Sequence, residues 1–461
     1  MSSRTDRVAV VGAGLAGCLL ACFLARRGYQ VSLYERRGDP RAGPAERGRS
    51  INLAISERGL AALRRIELAD RVLAEALPMH GRMIHPVGGP PGPPGPGDTG
   101  EPKRAYFQPY SADRQRAINS IGRGALNQTL LAAAVDAGVQ VHFDHRLVGL
   151  DPATGQLRFE VGGPAGREQT VTAPVVLGAD GAGSAVRGQL LAHQLLAERL
   201  DFLDHGYKEL VIPPAGGDFA LDPGALHIWP RGTSMLIALP NPDRSFTCTL
   251  FWPMDGPDGF DSLRTPAGIE RHFARHYPDL LPLAPDLVED YQRNPVGLLG
   301  TVHCAPWQAY GRVGLIGDAA HAIVPFYGQG ANCAFEDVVE LDRCLEDTGD
   351  HWLAALPEFG RRRREHTDAI AQMALDNFVE MRDKVASPVY QLRKRVEHAL
   401  ERALPGRYLS RYELVSFSTM PYAQVRRRVR RQQLVLAGLA AGAVAAAGTA
   451  VVAGRAGRWW R

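Results

Sequence analysis

Gly12, Gly14 and Gly17 stand in the spacing G-x-G-x-x-G, between a short β-branched run (Arg7–Val11) and an apolar stretch at residues 15–27. In that spacing the first glycine permits a tight turn and the second lets backbone N–H groups approach a pyrophosphate. The third allows close helix–strand packing. The N-terminus of the following helix then faces negative charge. Glu35 follows 18 residues after Gly17, at the end of a second strand-like run, Gln30–Tyr34. A carboxylate there can accept hydrogen bonds from ribose hydroxyls. Alone, this arrangement fits FAD and NAD equally well.

Two further segments bring polar groups to strand ends. Gly178-Ala179-Asp180-Gly181-Ala182-Gly183-Ser184-Ala185-Val186-Arg187 turns the chain through Asp180-Gly181. A strand at 312–316 delivers Asp318 and His321, and Pro325-Phe326-Tyr327-Gly328-Gln329-Gly330-Ala331-Asn332 opens a helix behind them. Asp318 can bond a ribityl hydroxyl, and a helix start near Gly330 can stabilise negative charge on a reduced flavin. Read together, the three segments point to FAD.

The elements that must position these residues follow from periodicity. The first strand, a helix at 15–27 closed by Gly28 and the strand Gln30–Tyr34 form a βαβ unit. A helix is expected at 124–137, strands at 140–143 and 171–177, and an antiparallel sheet over 226–250. Residues 352–403 read as helical and heavily charged, with 361–364 (Arg-Arg-Arg-Arg) as a solvated face. The Pro/Gly-rich stretch at 88–100 reads as a solvated loop capping a hairpin. The fold class expected is α/β: a Rossmann-like FAD-binding domain, an inserted antiparallel-sheet substrate domain and a C-terminal helical region. The expected divisions are 1–65, 105–187 and 296–350 for the first, 66–104 and 188–295 for the second, and 351–431 for the third. Residues 432–461 form an apolar tail.

The 461 residues are 45% hydrophobic and 22% charged, with a net charge of +4. These are globular values, and so small a charge gives no reason to expect nucleic-acid binding. The six cysteines make no C-x-x-C pair, so neither a zinc site nor a disulfide framework is expected. Cys18 and Cys22, one helical turn apart, read as core. A reducing, cytoplasmic setting fits, and the N-terminus shows no secretory signal. Residues 434–454 are 21 in number and carry no charge. They are long enough to cross a bilayer and are flanked by arginines and by Trp459 and Trp460. Their nine Ala and four Gly against three Leu and four Val give little driving force for insertion. A membrane segment and an Ala-rich helix packed on protein both stand.

In this order and spacing the three segments resemble the single-component flavin-dependent aromatic hydroxylases, over about residues 7 to 340. Further segments resemble the branch of that family that hydroxylates kynurenine, out to about residue 422. They are Tyr34-Glu35-Arg36-Arg37, Arg49-Ser50-Ile51-Asn52-Leu53-Ala54-Ile55-Ser56, Gly81-Arg82-Met83-Ile84-His85, Pro325 to Gly330, Asp376-Asn377-Phe378-Val379-Glu380-Met381-Arg382-Asp383 and residues 412–417. The resemblance implies FAD contacts at Ala16, Tyr34, Glu35, Arg36, Arg37, Ala54, Arg123, Asp318, Ala331 and Asn332, beside the turn glycines Gly12, Gly14 and Gly17. It implies substrate contacts at Arg82, Tyr110, Asn377 and Tyr412. It also implies NADPH and O2 as co-substrates and L-kynurenine as substrate.

A guanidinium suits an amino-acid carboxylate, with phenols beside it. Asn377 can bond the amino or keto group. The aniline nitrogen of kynurenine already activates the ring, so no dedicated catalytic base is expected, and His321 reads as structural. Competing readings are a hydroxylase of another aromatic acid and a membrane-associated FAD reductase.

Overall fold

The structure is a computed structural model that describes residues 7–42, 52–86, 105–163, 166–384 and 387–438. The Pro/Gly-rich stretch at 88–100, residues 49–51 and the apolar tail beyond residue 438 lie outside the described residues.

Val8, Ala9, Val10 and Val11 are all buried, as a strand must be when helices cover both faces of a parallel sheet. Arg7–Val11 pairs in parallel with Gln30–Tyr34 on one side and Val175–Gly178 on the other. Val313–Leu315 and Gln140–His142 extend the parallel set, and Gln308–Ala309 adds an antiparallel edge. The helix Leu15–Arg26 leaves the first strand through the glycine turn and stops before Gly28, whose φ of +89° is the left-handed conformation glycine tolerates. Cys18 and Cys22 lie in its buried face, as expected.

A seven-stranded sheet runs in the order Gly297–Ala305, Ala197–Ile212, Phe246–Pro253, Met235–Pro240, Ala225–Pro230, Gly81–Ile84, Tyr106–Pro109. Its pairs are antiparallel except Ala225–Pro230 beside Gly81–Ile84. Gly81–Ile84 and Tyr106–Pro109 are the hairpin expected around the Pro/Gly-rich stretch, with Arg82 opposite Gln108. Asn52–Ile55 and Leu77–Met79 flank Ile118–Gly122 in a smaller sheet. Helices Trp352–Val379, Pro388–Ala403 and Arg411–Ser416 follow, and residues 422–438 are helical. No helix among the described residues is long and apolar enough to cross a membrane.

Three expectations are corrected. The strand expected at 171–177 is two strands. Arg167–Thr172 belongs to a three-stranded antiparallel sheet with Gln156–Val161 and His145–Asp151, and Val175–Gly178 belongs to the parallel sheet. Pro174 lies between them and has no N–H to continue a ladder. The helical stretch 352–403 is broken by a π-helical turn, Glu380–Lys384, and a new helix begins at Pro388 under a Ser387 cap. The arginine run 361–364 is not all solvated. Arg361 is exposed, but Arg363 is buried against the helix Gly330–Asp347.

What Arg363 meets there is Asp337, which has no exposed surface. One Asp337 oxygen accepts from Arg363 Nε at 2.7 Å. The other accepts from the Gly317 backbone N–H at 2.9 Å and lies 2.5 Å from His321 Nε2. Cys333 lies close enough that His321, Cys333 and Asp337 form a metal-like cluster. The cation in that cluster is a guanidinium: Arg363 also bonds the Cys333 carbonyl and Glu336. His321 is thereby held by a carboxylate, in keeping with its expected structural role. Burial works to raise the Asp337 pKa, but His321 and Arg363 outweigh it and hold the carboxyl below its usual range.

Removing the carboxylate takes from the buried guanidinium its fully buried counter-ion and leaves it Glu336 at 3.3 Å and the Cys333 carbonyl. Asp337→Ala is therefore expected to lower the unfolding free energy by about 3–5 kcal/mol. The urea midpoint at unchanged m-value reads this, and a loss under about 1 kcal/mol would show that the network carries no such burden. Because the folded pKa is depressed, the wild-type contribution is present at neutral pH and fades on acidification below the unfolded carboxyl's range.

Candidate active site

The three glycine-rich segments meet at one place. A Cβ on Gly12 (φ +101°) would lie 2.6 Å from the Ala179 carbonyl oxygen, so the first turn packs directly on the second segment. A Cβ on Gly17 would lie 1.8 Å from the Gly12 carbonyl, which leaves room for glycine alone. Asp180 caps the helix Ala185–Ala192, accepting from Ser184 Oγ at 2.5 Å and from the Ala185 N–H at 2.6 Å. Arg187, buried, donates to the Ala182 and Ala319 carbonyls and so ties the second segment to the third.

Around that junction are groups suited to a dinucleotide. A Cβ on Gly14 would meet nothing within 4 Å, and the helix behind it has no side-chain cap. Its first N–H groups are therefore free for an anion. Ala16 lies beside Gly317. The Asp318 carboxylate, half-buried, takes no hydrogen bond or ion pair from the described residues. Ala331 and Asn332 sit in the uncapped first turn of the 18-residue helix Gly330–Asp347. This donor and acceptor set fits FAD.

Several expected contacts have other engagements. Glu35 accepts from the Ala13 N–H at 3.0 Å and from Arg37 Nε at 3.0 Å, so it shapes the glycine turn. The Tyr34 ring is stacked between His142 and Phe159, at 4.8 and 4.4 Å, while its carbonyl accepts from the Gly12 N–H. Arg36 and Arg37 are exposed at the strand end. The Asn332 carboxamide is consumed within the protein: it accepts from the Ser56 N–H and donates to the carbonyls of Ala54 and Gly328. Arg123 opens the helix Arg123–Asp136 at the surface.

Arg82, Tyr110 and Tyr412 come together in a cavity of about 520 Å³. The Tyr110 and Tyr412 rings stack at 4.9 Å, and the Arg82 guanidinium lies 4.8 Å from the Tyr412 ring centroid and 5.9 Å from that of Tyr110. Tyr110 is held by its N–H to the His80 carbonyl, whereas Tyr106 lies at the other end of the strand with its hydroxyl at Gln391. Burial raises the pKa of Tyr110, Tyr327 and Tyr412, so all three remain neutral hydroxyls.

The other charges of this cavity are answered. Arg411 pairs with Glu380 at 3.0 Å, and Lys394 with Glu397 at 2.9 Å. Burial works to raise the Glu380 pKa, but Lys394, Arg411 and the Tyr390 hydroxyl hold it below the ordinary range. Arg82, 6% exposed, has no ion pair among the described residues, and its Nε has no partner at all. A buried cation without a counter-ion is costly, so the cavity is built for an anion.

Asn377 is not part of that wall. Its Nδ2 donates to the Phe326 carbonyl at 2.6 Å and lies 3.1 Å from Met381 Sδ, one layer behind the Pro325–Tyr327 turn.

Arg58 was not legible as a site-building residue. Its side chain is fully buried, donating to the Val415, Leu414 and Met420 carbonyls and pairing with Glu336 at 2.5 Å. The Tyr422 ring lies 3.9 Å away, and its hydroxyl donates to Gln329 Oε1 at 2.9 Å. These bonds set the Arg411–Ser416 helix, and with it Tyr412, against the start of Gly330–Asp347. Nothing local in Ser56-Glu57-Arg58-Gly59 marks this, because every partner but one is a distant backbone carbonyl.

Known proteins share this arrangement. The FAD binding domain model matches residues 5–201 and 293–372. A kynurenine 3-monooxygenase of Myxococcus xanthus (strain DK1622) is 48% identical over 428 residues, covering 91% of this chain and 88% of the relative. One of Stenotrophomonas maltophilia (strain K279a) is 46% identical over 93% of this chain and 91% of its own length. Among solved structures, a tetrameric form of 2-methyl-3-hydroxypyridine-5-carboxylic acid oxygenase superposes with a TM-score of 0.61 at 21% identity, over 85% of this chain and 96% of the other. That last likeness shows the fold.

The turn makes a contrast testable. Gly14→Ala meets no protein atom and has an ordinary φ of −76°, so the apo-protein should change in stability by no more than about 1 kcal/mol, yet purify with less FAD. Gly17→Ala should lose the fold itself. Full FAD retention by Gly14→Ala, read from the visible flavin absorbance per chain, would place the pyrophosphate elsewhere.

Proposed function

We propose roles for these residues from one premise: the chain belongs to the kynurenine 3-monooxygenase family, built on the FAD binding domain. Its function is the FAD-dependent hydroxylation of L-kynurenine at ring carbon 3, using NADPH and O2. One oxygen atom enters the ring and the other leaves as water, with two electrons from NADPH. FAD, when bound, accepts the hydride and activates O2.

The observation that carries our assignment of substrate contacts is the unpaired Arg82 guanidinium. The α-carboxylate of kynurenine supplies the missing counter-ion, and the Tyr110 and Tyr412 hydroxyls donate beside it. Burial works against the charge on Arg82, but its surroundings, Glu380 among them, keep it protonated. Asn377 acts by holding the Phe326 carbonyl, and so positions the Pro325–Tyr327 turn between the cavity and the helix start at Gly330. The Tyr110, Tyr327 and Tyr412 rings would shield the reacting ring from water, which a hydroxylase needs in order not to waste reductant. No acid–base pair is required of the protein, because the ring amine directs the chemistry.

For FAD we assign the turn Gly12, Gly14 and Gly17, Ala16, the strand end Tyr34 to Arg37, Ala54, Arg123, Asp318, Ala331 and Asn332. Tyr34 serves through its backbone and Asn332 by bracing Ala54. The discontinuous division 1–65, 105–187 and 296–350 would hold the flavin, and 66–104 with 188–295 would wall the substrate. Residues 351–431 would close the site.

The unpaired buried thiols support a cytoplasmic setting. Exposed Leu434 and Val435, following the basic run at 426–431, support membrane contact through the 434–454 tail. Truncation after Arg431 should then release the protein from the membrane fraction.

Arg82→Met should raise KM for kynurenine by about tenfold to a hundredfold, the loss of a charge-assisted hydrogen bond, with FAD content unchanged. Anaerobic stopped-flow reduction and 18O2 labelling of the product are the direct tests. An unlabelled product, or flavin reduction indifferent to kynurenine, would overturn the reading. Equal loss of flavin in Arg82→Met would show that Arg82 serves the cofactor.

A further inference from the structure

A second cavity, about 560 Å³, opens where the ends of Ala197–Ile212 and Gly297–Ala305 meet the helix Trp352–Val379 and the helix at 422–438. Ala320 and His321, two and three residues after Asp318, form part of its wall. Glu198 and Asp368 are the acids of its wall. Glu198 accepts from Arg187 Nε at 3.0 Å. Asp201 and Asp368 each lie 3.5 Å from a ring nitrogen of His303. Arg199 takes Asp201 at 2.9 Å. Arg364 and Arg426 remain, on two different helices, and neither side chain has an ion pair or hydrogen bond among the described residues. Two cations from separate elements line one cleft whose acids are Glu198, held by Arg187, and Asp368, which meets the His303 ring, and together they suit an anion better than one solvated helix face would. Trp307, Val302 and Cys304 give it an apolar wall.

We infer that this cleft docks the adenosine 2′-phosphate end of NADPH. The inference rests on the reading above that NADPH is consumed. The glycine turn at residues 12–17 is assigned to FAD, and the other G-x-G-x-x-G spacing, Gly95 to Gly100, sits in the Pro/Gly-rich stretch with no strand-like run before it, which leaves side chains to hold NADPH. The 2′-phosphate is a dianion at neutral pH and the one group that distinguishes NADPH from NADH. Two planar guanidinium groups suit it by charge and by bidentate geometry. The first cavity does not compete for this role: its one unanswered cation, Arg82, is reserved for a carboxylate.

Both arginines are exposed, so their truncation leaves the core intact. With the FAD-loaded enzyme, Arg364→Ala/Arg426→Ala should raise KM for NADPH about tenfold to a hundredfold. KM for NADH, KM for kynurenine and FAD content should stay as in wild type. Adenosine 2′,5′-bisphosphate should compete with NADPH in the wild type and lose its grip in the double variant, while adenosine 5′-phosphate should compete weakly in both. An unchanged KM for NADPH, or equal rises for NADPH and NADH, would overturn the assignment. So would inhibition by inorganic phosphate as strong as by the bisphosphate, which would mark a general anion site. Kynurenine-stimulated NADPH oxidation by the wild-type enzyme is read separately, and its failure alone would count against the underlying function.

Discussion

Asp337 carries a charge where no water reaches it, and a carboxylate isolated there would cost several kcal/mol. It persists because three groups from two parts of the chain converge on it. Arg363 comes from the long helix behind, and His321 and the Gly317 N–H come from the loop ahead. One of these bonds ties down Gly317, whose φ is +63° and which directly precedes Asp318. The Asp318 carboxylate, without a partner among the described residues, thus follows directly on a backbone fixed by Asp337.

The substrate side depends on an analogous anchor. Arg58 spends its guanidinium on the Val415, Leu414 and Met420 carbonyls and on Glu336. Glu336 and Asp337 are neighbours on one helix, and Arg363 touches both. The C-terminal segment that carries Tyr412 and the segment that carries Asp318 are thus braced by adjacent residues of Gly330–Asp347. That helix also begins where the Pro325–Tyr327 turn ends. One rigid element sets the two ends of the site relative to each other, as a reaction between a bound cofactor and a bound ring requires.

Local pattern made much of this legible. The βαβ unit, the glycine turn, the antiparallel strands of the larger sheet and the hairpin beside Arg82 are each written in a few consecutive residues. What was hidden depends on partners far along the chain. The run at 361–364 reads as four equivalent arginines, and only the packing of Asp337 makes the third of them core. Glu35 reads as a ribose acceptor, and in the fold one of its oxygens also accepts from the glycine turn and the other from Arg37. Asn332 stands at a helix start where a ligand contact is expected, but the Ala54 strand lies close enough to claim its side chain. The strand at 171–177 was misjudged for a local reason: apolar residues on both sides masked the interruption at Pro174.

The placement of unpaired charge follows one rule across the site. Elsewhere in the cavity each cation has its acid, and the phenols are kept neutral by burial. Arg82 is buried there without an ion pair among the described residues. Such a charge destabilises the empty protein, and selection for stability alone would remove it or pair it. Pairing it within the chain would cancel the attraction for a carboxylate ligand. Leaving it open shifts the cost of burial from the complex to the free enzyme, so that part of the ligand's binding energy comes from relieving a strain already present. The two stacked tyrosines fit the same rule. They pack the guanidinium tightly and offer hydroxyls, but they add no negative charge that would compete with the anion.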